Sequence, residues 1–132
     1  MTPFGLWFES IRRSRQLQQV QVASMLGINS CYVSAFENGN KSPPSIIILE
    51  KMISVLDLNV SEQEALWIKA EQSKKTYSIP INCIPEEYVM MNDLSKHLGS
   101  LSGEQIAIIS NVLKIGAGLS KSSSTIQITS GS

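Results

Sequence analysis

Short polar side chains cluster at the start of one predicted helix, and the chemistry they offer is hydrogen bonding. Asn29, Ser30, Tyr32 and Ser34 lie within six residues of one another, and each can both donate and accept a hydrogen bond. Side chains of these types can bond base edges or phosphates, and the methyl group of Ala35 could add an apolar contact with thymine. No arginine stands among them, so direct readout at this cluster would lack the bidentate contact with guanine.

Catalytic and metal chemistry find no support in the sequence. His97 is the single histidine, and no Ser/His/Asp arrangement, Gly-rich phosphate loop or metal-ligand spacing accompanies it. Cys31 and Cys83 lie far apart and fit neither a disulfide scaffold nor a zinc site. A thiol near a helix N-terminus can respond to oxidants, but a small packing residue is the simpler interpretation of Cys31. We therefore expect no enzyme, no bound metal and no cofactor.

Two short helices joined by a tight turn contain the polar cluster. The first is predicted over residues 18–26 and ends at Gly27, because glycine suits the left-handed residue that follows a helix. The second is predicted over residues 30–38 and ends at Gly39 for the same reason. Ala23 is small enough for the two helices to cross closely. Their lengths and turn chemistry are typical of a helix-turn-helix.

Three further helices are predicted in the first 75 residues. Thr2 is a candidate N-cap for the first of them, with proline at the first helical position. Ser45 is expected to cap a fourth helix after a Ser-Pro-Pro break, and Ser61 with Glu64 to form a capping box that opens a fifth.

Composition limits the ways in which this chain could bind nucleic acid. Its 132 residues include 11 basic and 11 acidic side chains, so the net charge is zero and any nucleic-acid binding must come from a local patch. Residues 1–56 hold five basic against three acidic residues and are therefore the positive part. No apolar run approaches the ~20 residues of a membrane span, and no secretory pattern opens the chain. We expect a soluble cytoplasmic protein with no membrane partner.

The segment from about Ile11 to Leu58 resembles the lambda-repressor-like family of helix-turn-helix regulators, which includes the Cro/CI and Xre proteins. The resemblance rests on these positions: Arg12, Gln19, Val22, Ala23, Leu26, Gly27, Ile28, Val33, Ser34, Phe36, Glu37, Gly39, Pro43 or Pro44, Leu49 and Leu56. It implies an all-α fold in which a five-helix DNA-binding domain is followed by a linker and a C-terminal helical pair for oligomerisation. It also implies that the first motif helix lies across the sugar-phosphate backbone while the second enters the major groove of double-stranded DNA.

The resemblance also implies roles for individual residues. Gln19 would bond a phosphate at the start of the first motif helix. Arg12 and Glu37 would form a structural ion pair between the first helix and the end of the recognition helix. The residues expected at base edges or on the backbone are Gln19, Asn29, Ser30, Cys31, Tyr32, Ser34, Ala35, Asn38, Asn40 and Lys41. At least one of Arg13, Arg15 and Lys41 is expected to contact a phosphate.

The sequence departs from the family pattern at three positions that matter for affinity. Cys31 stands where a strong hydrogen-bonding side chain is common. Gln18 stands where the family usually has a serine or threonine cap, and Ala35 stands where a longer polar side chain is common. Affinity for a single half-site should therefore be modest, and dimerisation, DNA shape or a partner protein would supply the rest.

Three further segments are predicted after the N-terminal helical domain. The division is domain 1–75, extended linker 76–85, helical dimerisation region 86–117 and Ser/Thr-rich flexible tail 118–132. Alternating apolar residues with prolines predict an extended linker that could pair at a sheet edge. Ser102 and Gln105 form a capping box for the last helix.

The last helix carries an apolar face too wide for one short neighbouring helix to cover. Its dimerisation residues are predicted to be Ile106, Ile109, Val112 and Leu113. The predicted function is that of a sequence-specific DNA-binding regulator, a repressor that binds a palindromic operator as a homodimer or higher homo-oligomer. The alternatives are a protein-binding module, such as an antitoxin or co-regulator that holds a partner through its C-terminal region, and a purely structural all-α domain.

Overall fold

The computed structural model describes residues 1–122, with side chains to residue 115. The described part is helical without strands, so the all-α prediction is confirmed. The helices are α1 Pro3–Ser14, α2 Gln19–Leu26, α3 Ser30–Glu37, α4 Ile46–Val55, α5 Val60–Glu71, α6 Pro85–His97 and α7 Gly103–Ser122. They fall into two compact units, an N-terminal unit Met1–Ser78 with α1 to α5 and a C-terminal unit that begins at Ile79 and contains α6 and α7.

The start of α1 is held by two hydroxyl groups. The Thr2 Oγ1 accepts the amide hydrogen of Gly5 at 3.0 Å, as its predicted N-cap position requires. The Ser73 Oγ accepts the amide hydrogen of Phe4 at 2.8 Å and donates to the carbonyl oxygen of Lys69 at 2.7 Å. Ser73 follows α5 and is buried, so the end of the last helix of the N-terminal unit is bonded to the start of the first.

Aromatic side chains form the centre of the N-terminal core. The Phe36 ring of α3 lies edge-on against Phe8 and Phe4 of α1, with ring centroids 5.1 and 5.8 Å apart. Aliphatic side chains from the other helices surround these rings. The buried apolar set is Phe4, Phe8, Ile11, Val22, Ala23, Leu26, Val33, Phe36, Leu49, Met52, Leu56, Leu58 and Leu66. One side of α3 is therefore fully committed to the core.

Gly5 allows α1 to approach the end of α3 directly. A Cβ atom at this position would overlap the carbonyl oxygen of Glu37 and would lie 3.0 Å from that of Phe36. Any side chain here would push the two helices apart.

A buried ion pair joins the same two helices. The Arg12 Nη2 donates to the Glu37 Oε1 at 2.7 Å, and its Nε donates to Oε2 at 2.9 Å. The third guanidinium nitrogen, Nη1, donates to the carbonyl oxygen of Leu17 at 2.8 Å. The hydrogen bonds to Glu37 raise the pKa of Arg12. The structure thus brings the two predicted partners together in a bidentate contact with little exposure to water.

Two predicted helix caps are corrected by the structure. The capping box of α5 is made by Asn59 and Glu62, because the helix begins at Val60, before the predicted Ser61 and Glu64. The Asn59 Oδ1 accepts the Glu62 amide hydrogen at 2.8 Å, and the Glu62 Oε1 accepts that of Asn59 at 3.0 Å. Ser45 occupies the N-cap position of α4, but its side chain makes no capping hydrogen bond.

The C-terminal unit consists of helices without a buried core. The capping box at the start of α7 forms as expected, since Ser102 Oγ accepts the Gln105 amide hydrogen and Gln105 Oε1 accepts that of Ser102. None of the side chains described between residues 79 and 115 is buried. The linker residues 76–84 are irregular and form no edge strand. Helix α7 continues to Ser122 and so includes the first residues of the predicted tail 118–132. Residues 123–132 of that prediction lie outside the described residues.

The close approach at Gly5 predicts a large penalty for a small substitution. We expect Gly5→Ala to lower the free energy of unfolding of the N-terminal unit by about 2–3 kcal/mol, because the added methyl group meets backbone that cannot move freely. Gly103→Ala is the matched control, since nothing lies within 4 Å of a Cβ atom there. Chemical denaturation of both variants measures the difference, and equal stabilities would contradict the packing described here.

The buried pair predicts an asymmetry between two neighbouring arginines. We expect Arg12→Met to lower the free energy of unfolding by about 3 kcal/mol, because the Glu37 carboxylate is left buried without its partner. Arg13→Met should cost less than about 0.5 kcal/mol, because Arg13 forms an exposed pair with Glu9 one turn away. Thermal and urea unfolding compare the two. A comparable loss in both variants would show that burial of the pair contributes nothing.

Candidate nucleic-acid interface

The turn between α2 and α3 follows directly from local sequence chemistry. Gly27 adopts the left-handed conformation, with φ of 71°, and its amide hydrogen bonds back to the last turn of α2. The Ile28 amide donates to the carbonyl oxygen of Ala23 at 3.0 Å, which closes the turn. Buried Ala23 leaves room for this close path. Three residues therefore separate the end of α2 from the start of α3.

Asn29 begins α3 as its N-cap. Its Oδ1 accepts the amide hydrogen of Cys31 at 2.7 Å, so the carbonyl side of this amide is already used within the protein. Only the Nδ2 group of Asn29 is left for an outside partner, which makes it a donor in any contact with DNA. Asn29 is thus more restricted in what it can recognise than its type suggests.

The residues of α3 that pack into the core determine which of its side chains face outward. Val33 and Phe36 are fully buried, and the Tyr32 ring lies edge-on against Phe36 at 5.3 Å. Cys31 is exposed, whereas Ser30, Ser34 and Ala35 are half-buried. These four residues and Tyr32, together called the α3 outer face, are small or uncharged side chains on a rigid helix. Cys31 is a free thiol.

Glu37 orients this helix by accepting hydrogen bonds from both preceding helices. Besides the pair with Arg12, its Oε1 accepts a hydrogen bond from Gln19 Nε2 at 3.0 Å. Gln19 was predicted to contact a phosphate, and the structure places it at the start of α2 with one amide hydrogen bonded to Glu37. The second Nε2 hydrogen is not needed for that bond. No motif or spacing in the sequence indicated this contact between Gln19 and Glu37.

The predicted phosphate-binding arginines occupy different surroundings. Arg15 is tied into the domain, since its Nε donates to the carbonyl oxygen of Leu56 at 2.8 Å and its Nη2 to Glu62 Oε1 at 2.8 Å. The hydrogen bond from Arg15 to Glu62 lowers the pKa of Glu62. Arg15 is thus held against the residues that follow α4 and the first turn of α5, and its phosphate contact stays a prediction. Arg13 is largely exposed.

Two lysines make none of the ion pairs found in the described part of the chain. Lys41 is exposed in the loop after α3. Lys51 was not predicted as a site residue, yet its Nζ would lie 3.4 Å from a Cβ atom at Gly27, beside the turn. Nothing in the spacing of α4 indicated this position, because it depends on how α4 packs against α2.

The loop after α3 is ordered by one short-range bond. Asn38 Oδ1 accepts the amide hydrogen of Asn40 at 2.9 Å, and Gly39 between them has a φ of 88°. Both asparagines are exposed. Their Nδ2 groups and the Lys41 ammonium give this loop donors but no carboxylate.

Other chemistry is not indicated in the part of the chain that the structure describes. No group of three or more His, Cys, Asp or Glu side chains there could hold a metal ion. No helix within the described residues is long and apolar enough to span a bilayer.

Comparison with known proteins finds a family model and a relative that each match part of the chain. Residues 8–63 match the sequence model of the helix-turn-helix family. Over 56 residues the chain is 38% identical to an uncharacterized HTH-type transcriptional regulator, RghRB, of Bacillus subtilis (strain 168). The alignment covers 42% of this chain and 40% of the relative. No solved structure matches the chain.

The matched segment contains the whole of α2, the turn at Gly27 and the whole of α3, together with the Arg12 and Glu37 pair that fixes their orientation. The resemblance seen in the sequence is thus confirmed for residues 8–63, which contain the helix-turn-helix. Residues 8–63 are similar to helix-turn-helix domains of the Xre and Cro/CI type.

Proposed function

We propose that this chain is a sequence-specific DNA-binding transcriptional regulator that inserts the start of α3 into the major groove. The observation that carries the proposal is the α3 outer face, a polar and uncharged helix surface held at a fixed angle by Glu37. A helix of this width fits the ~12 Å major groove, and its N-terminal residues would meet base edges first. Ser30, Ser34 and the Nδ2 of Asn29 supply the hydrogen bonds, while Ala35 supplies a methyl contact.

Phosphate contacts would come from both sides of this helix. Gln18 makes no side-chain capping bond at the start of α2, which leaves first-turn amides and the free Gln19 amide hydrogen to meet a phosphate. The exposed loop with Asn38, Asn40 and Lys41 would contact the backbone on the other side. Contacts of this kind set the register of the protein on DNA without reading sequence.

The finer proposal is a repressor that binds a palindromic operator as a homodimer. A single domain with no arginine on its outer face would discriminate weakly between bases. Two linked domains on half-sites about 34 Å apart would bind much more tightly than one domain. Once the first domain is bound, binding of the second becomes intramolecular. Such a protein would act where the chromosome is, in the cytoplasm of a bacterial cell.

A protein-binding role is the second candidate function. The observation that favours it is the set of exposed apolar side chains on α6 and α7, which suits contact with another polypeptide. The two roles are compatible in one chain, since the DNA contacts are proposed only for the N-terminal unit.

A negative charge on the α3 outer face should strongly weaken DNA binding. We expect Ser34→Glu to reduce affinity for a duplex from the DNA upstream of the coding region by at least tenfold, because a carboxylate would face base acceptors and phosphates. Gel-shift and fluorescence anisotropy at two salt concentrations measure the change. Far-ultraviolet circular dichroism should stay the same as that of the unmodified chain.

The matched control is Ser61→Glu, which adds the same charge at an exposed position in the first turn of α5. A negative side chain is tolerated there, since it lies near a helix N-terminus. Unchanged DNA binding by Ser34→Glu would exclude α3 as the recognition helix. Equal losses in both variants would point to a general charge effect.

The loop lysine should contribute affinity without contributing specificity. We expect Lys41→Gln to lower the dependence of log K on log salt concentration by about 1, because one fewer counterion is released. Affinities for the upstream duplex and for an unrelated duplex should fall by similar factors. Lys96→Gln in α6 is the control and should leave the salt slope unchanged. A loss confined to the upstream duplex would instead indicate a base contact by Lys41.

A further inference from the structure

An open groove lies on the N-terminal unit between the start of α4 and the end of α5. Its lining residues all lie within 42–49 and 67–76, and we call it the α4–α5 groove. Its volume is about 490 Å³, and small-molecule sites in proteins range from roughly 300 to 1,000 Å³. None of its lining residues is a proposed DNA contact, so an occupant of the groove would not compete with DNA for the same side chains.

Apolar side chains form most of the groove surface. Pro44 and Leu49 line it while they are buried, and Ala70 lines it while half-buried. Ile46 and Trp67 also line it, yet they are 65% and 38% exposed. A bulky apolar group seated here would remove both of these side chains from water, and an aromatic ring would pack well against the indole. The groove therefore favours an aromatic or branched aliphatic group.

The polar groups that line the groove offer hydrogen-bond donors and positive charge. Glu71 is the single carboxylate among them, and it pairs with Lys74 at 2.8 Å, so these two charges offset each other. Lys75 is exposed and makes none of the ion pairs found in the described part of the chain. The hydroxyl groups of Ser42 and Thr76 can donate as well. One uncommitted ammonium group matches one negative charge, which favours a carboxylate over a doubly charged phosphate.

Stabilisation of α5 does not account for Lys75. Positive charge near the C-terminal end of a helix is favourable, but the effect falls off within the last turn. The C-cap of α5 is Gln72, and Lys75 lies beyond it. The positive charge at the groove is therefore available to a ligand.

We propose that the α4–α5 groove binds a small molecule in which an aromatic or branched apolar group is joined to a carboxylate. The apolar group packs against Trp67 and Ile46, and the carboxylate lies at the Lys75 ammonium. Small-molecule sites combine an apolar lining with a few polar groups that fix orientation, and this groove offers both. The inference goes beyond the proposed function, because it assigns a ligand that is neither DNA nor protein.

The first test titrates the full chain, without DNA, with phenylbutyrate as the probe and phenylbutyramide as its uncharged analogue. We expect the emission of Trp67 to shift to shorter wavelength as the probe shields the indole from water. At ordinary ligand efficiencies the dissociation constant should be on the order of a few millimolar. The analogue should bind about threefold more weakly, because it lacks the exposed ion pair with Lys75.

The readout has its own control in the second tryptophan. A Trp67→Phe chain reports only on Trp7, which does not line the groove, and should show no shift. A shift that persists in this variant would overturn the proposal, since the probe would then lie elsewhere. The absence of a shift in the unmodified chain, or equal affinities for probe and analogue, would overturn it as well.

Two neighbouring substitutions in α4 test the position of the ligand. We expect Ile46→Glu to weaken phenylbutyrate binding at least fivefold, because it removes an apolar contact and brings a second carboxylate towards that of the probe. Ile47→Glu is the matched control, since Ile47 is 75% exposed in the same first turn and does not line the groove. Both variants should fold, because negative side chains are favourable near a helix N-terminus. Equal affinities of the two variants for the probe would overturn the assignment.

A substitution at Lys75 tests the charge of the ligand. We expect Lys75→Gln to bind phenylbutyrate and phenylbutyramide with equal affinity and to unfold at the same temperature as the unmodified chain. Lys51→Gln is the matched control, because Lys51 is exposed in the same unit and does not line the groove. It should keep the preference of about threefold for the carboxylate. The same preference in Lys75→Gln would overturn the proposal.

Other occupants of the groove give different results. Without probe, the emission of Trp67 should not depend on protein concentration, and a shift on concentration would overturn the proposal in favour of a second copy. A short peptide with one phenylalanine between two aspartates should bind no more than tenfold more tightly than phenylbutyrate, and tighter binding would reassign the groove to a polypeptide partner. Because these tests use no DNA, their failure leaves the proposed DNA contacts standing.

Discussion

The carboxylate of Glu37 is the constraint on which the N-terminal unit depends. It accepts two hydrogen bonds from Arg12 of α1 and one from Gln19 of α2, and it stands at the last residue of α3. Three helices are thereby fixed relative to one another through two oxygen atoms. Because the pair is buried, its contribution is geometric as much as energetic: a buried ion pair gains little net stability, but it permits few alternative arrangements.

This constraint would allow a weakly polar helix surface to serve the proposed recognition of DNA. A long, flexible arginine can search for a guanine, whereas serine and alanine side chains reach only what the backbone brings to them. Apart from Tyr32, the α3 outer face consists of short side chains, so the proposed contacts require its position to be accurate before DNA arrives. Gly5, which lets α1 contact the end of α3, and the Phe36 ring, which packs against Phe8, provide that accuracy from the other side.

The sequence predicted the elements of the N-terminal unit well because their signals are local. Gly27 and Gly39 mark helix ends through their own backbone preferences, and Thr2 marks a start through its own hydroxyl. The Arg12 and Glu37 pair was found only through family resemblance, since 25 residues separate the two. Contacts that depend on how the helices pack were not predicted. Examples are the hydrogen bond from the Phe4 amide to Ser73, the hydrogen bond from Arg15 to Glu62, and the position of Lys51 beside Gly27. The prediction that Ser61 caps α5 was wrong, because Asn59, two residues earlier, forms a capping box with Glu62.

The bond from Phe4 to Ser73 links residues 69 positions apart in the chain. Closing so long a loop costs entropy that only the complete domain can offset, so the contact cannot form early or in isolation. Both anchors of α3, at Gly5 and Arg12, lie on the helix whose first turn this bond secures. A nascent or cleaved chain that ends before residue 73 would therefore contain the sequence of the recognition helix without its final alignment. The proposed ability to discriminate between DNA sequences should consequently emerge in one cooperative step, together with the domain as a whole.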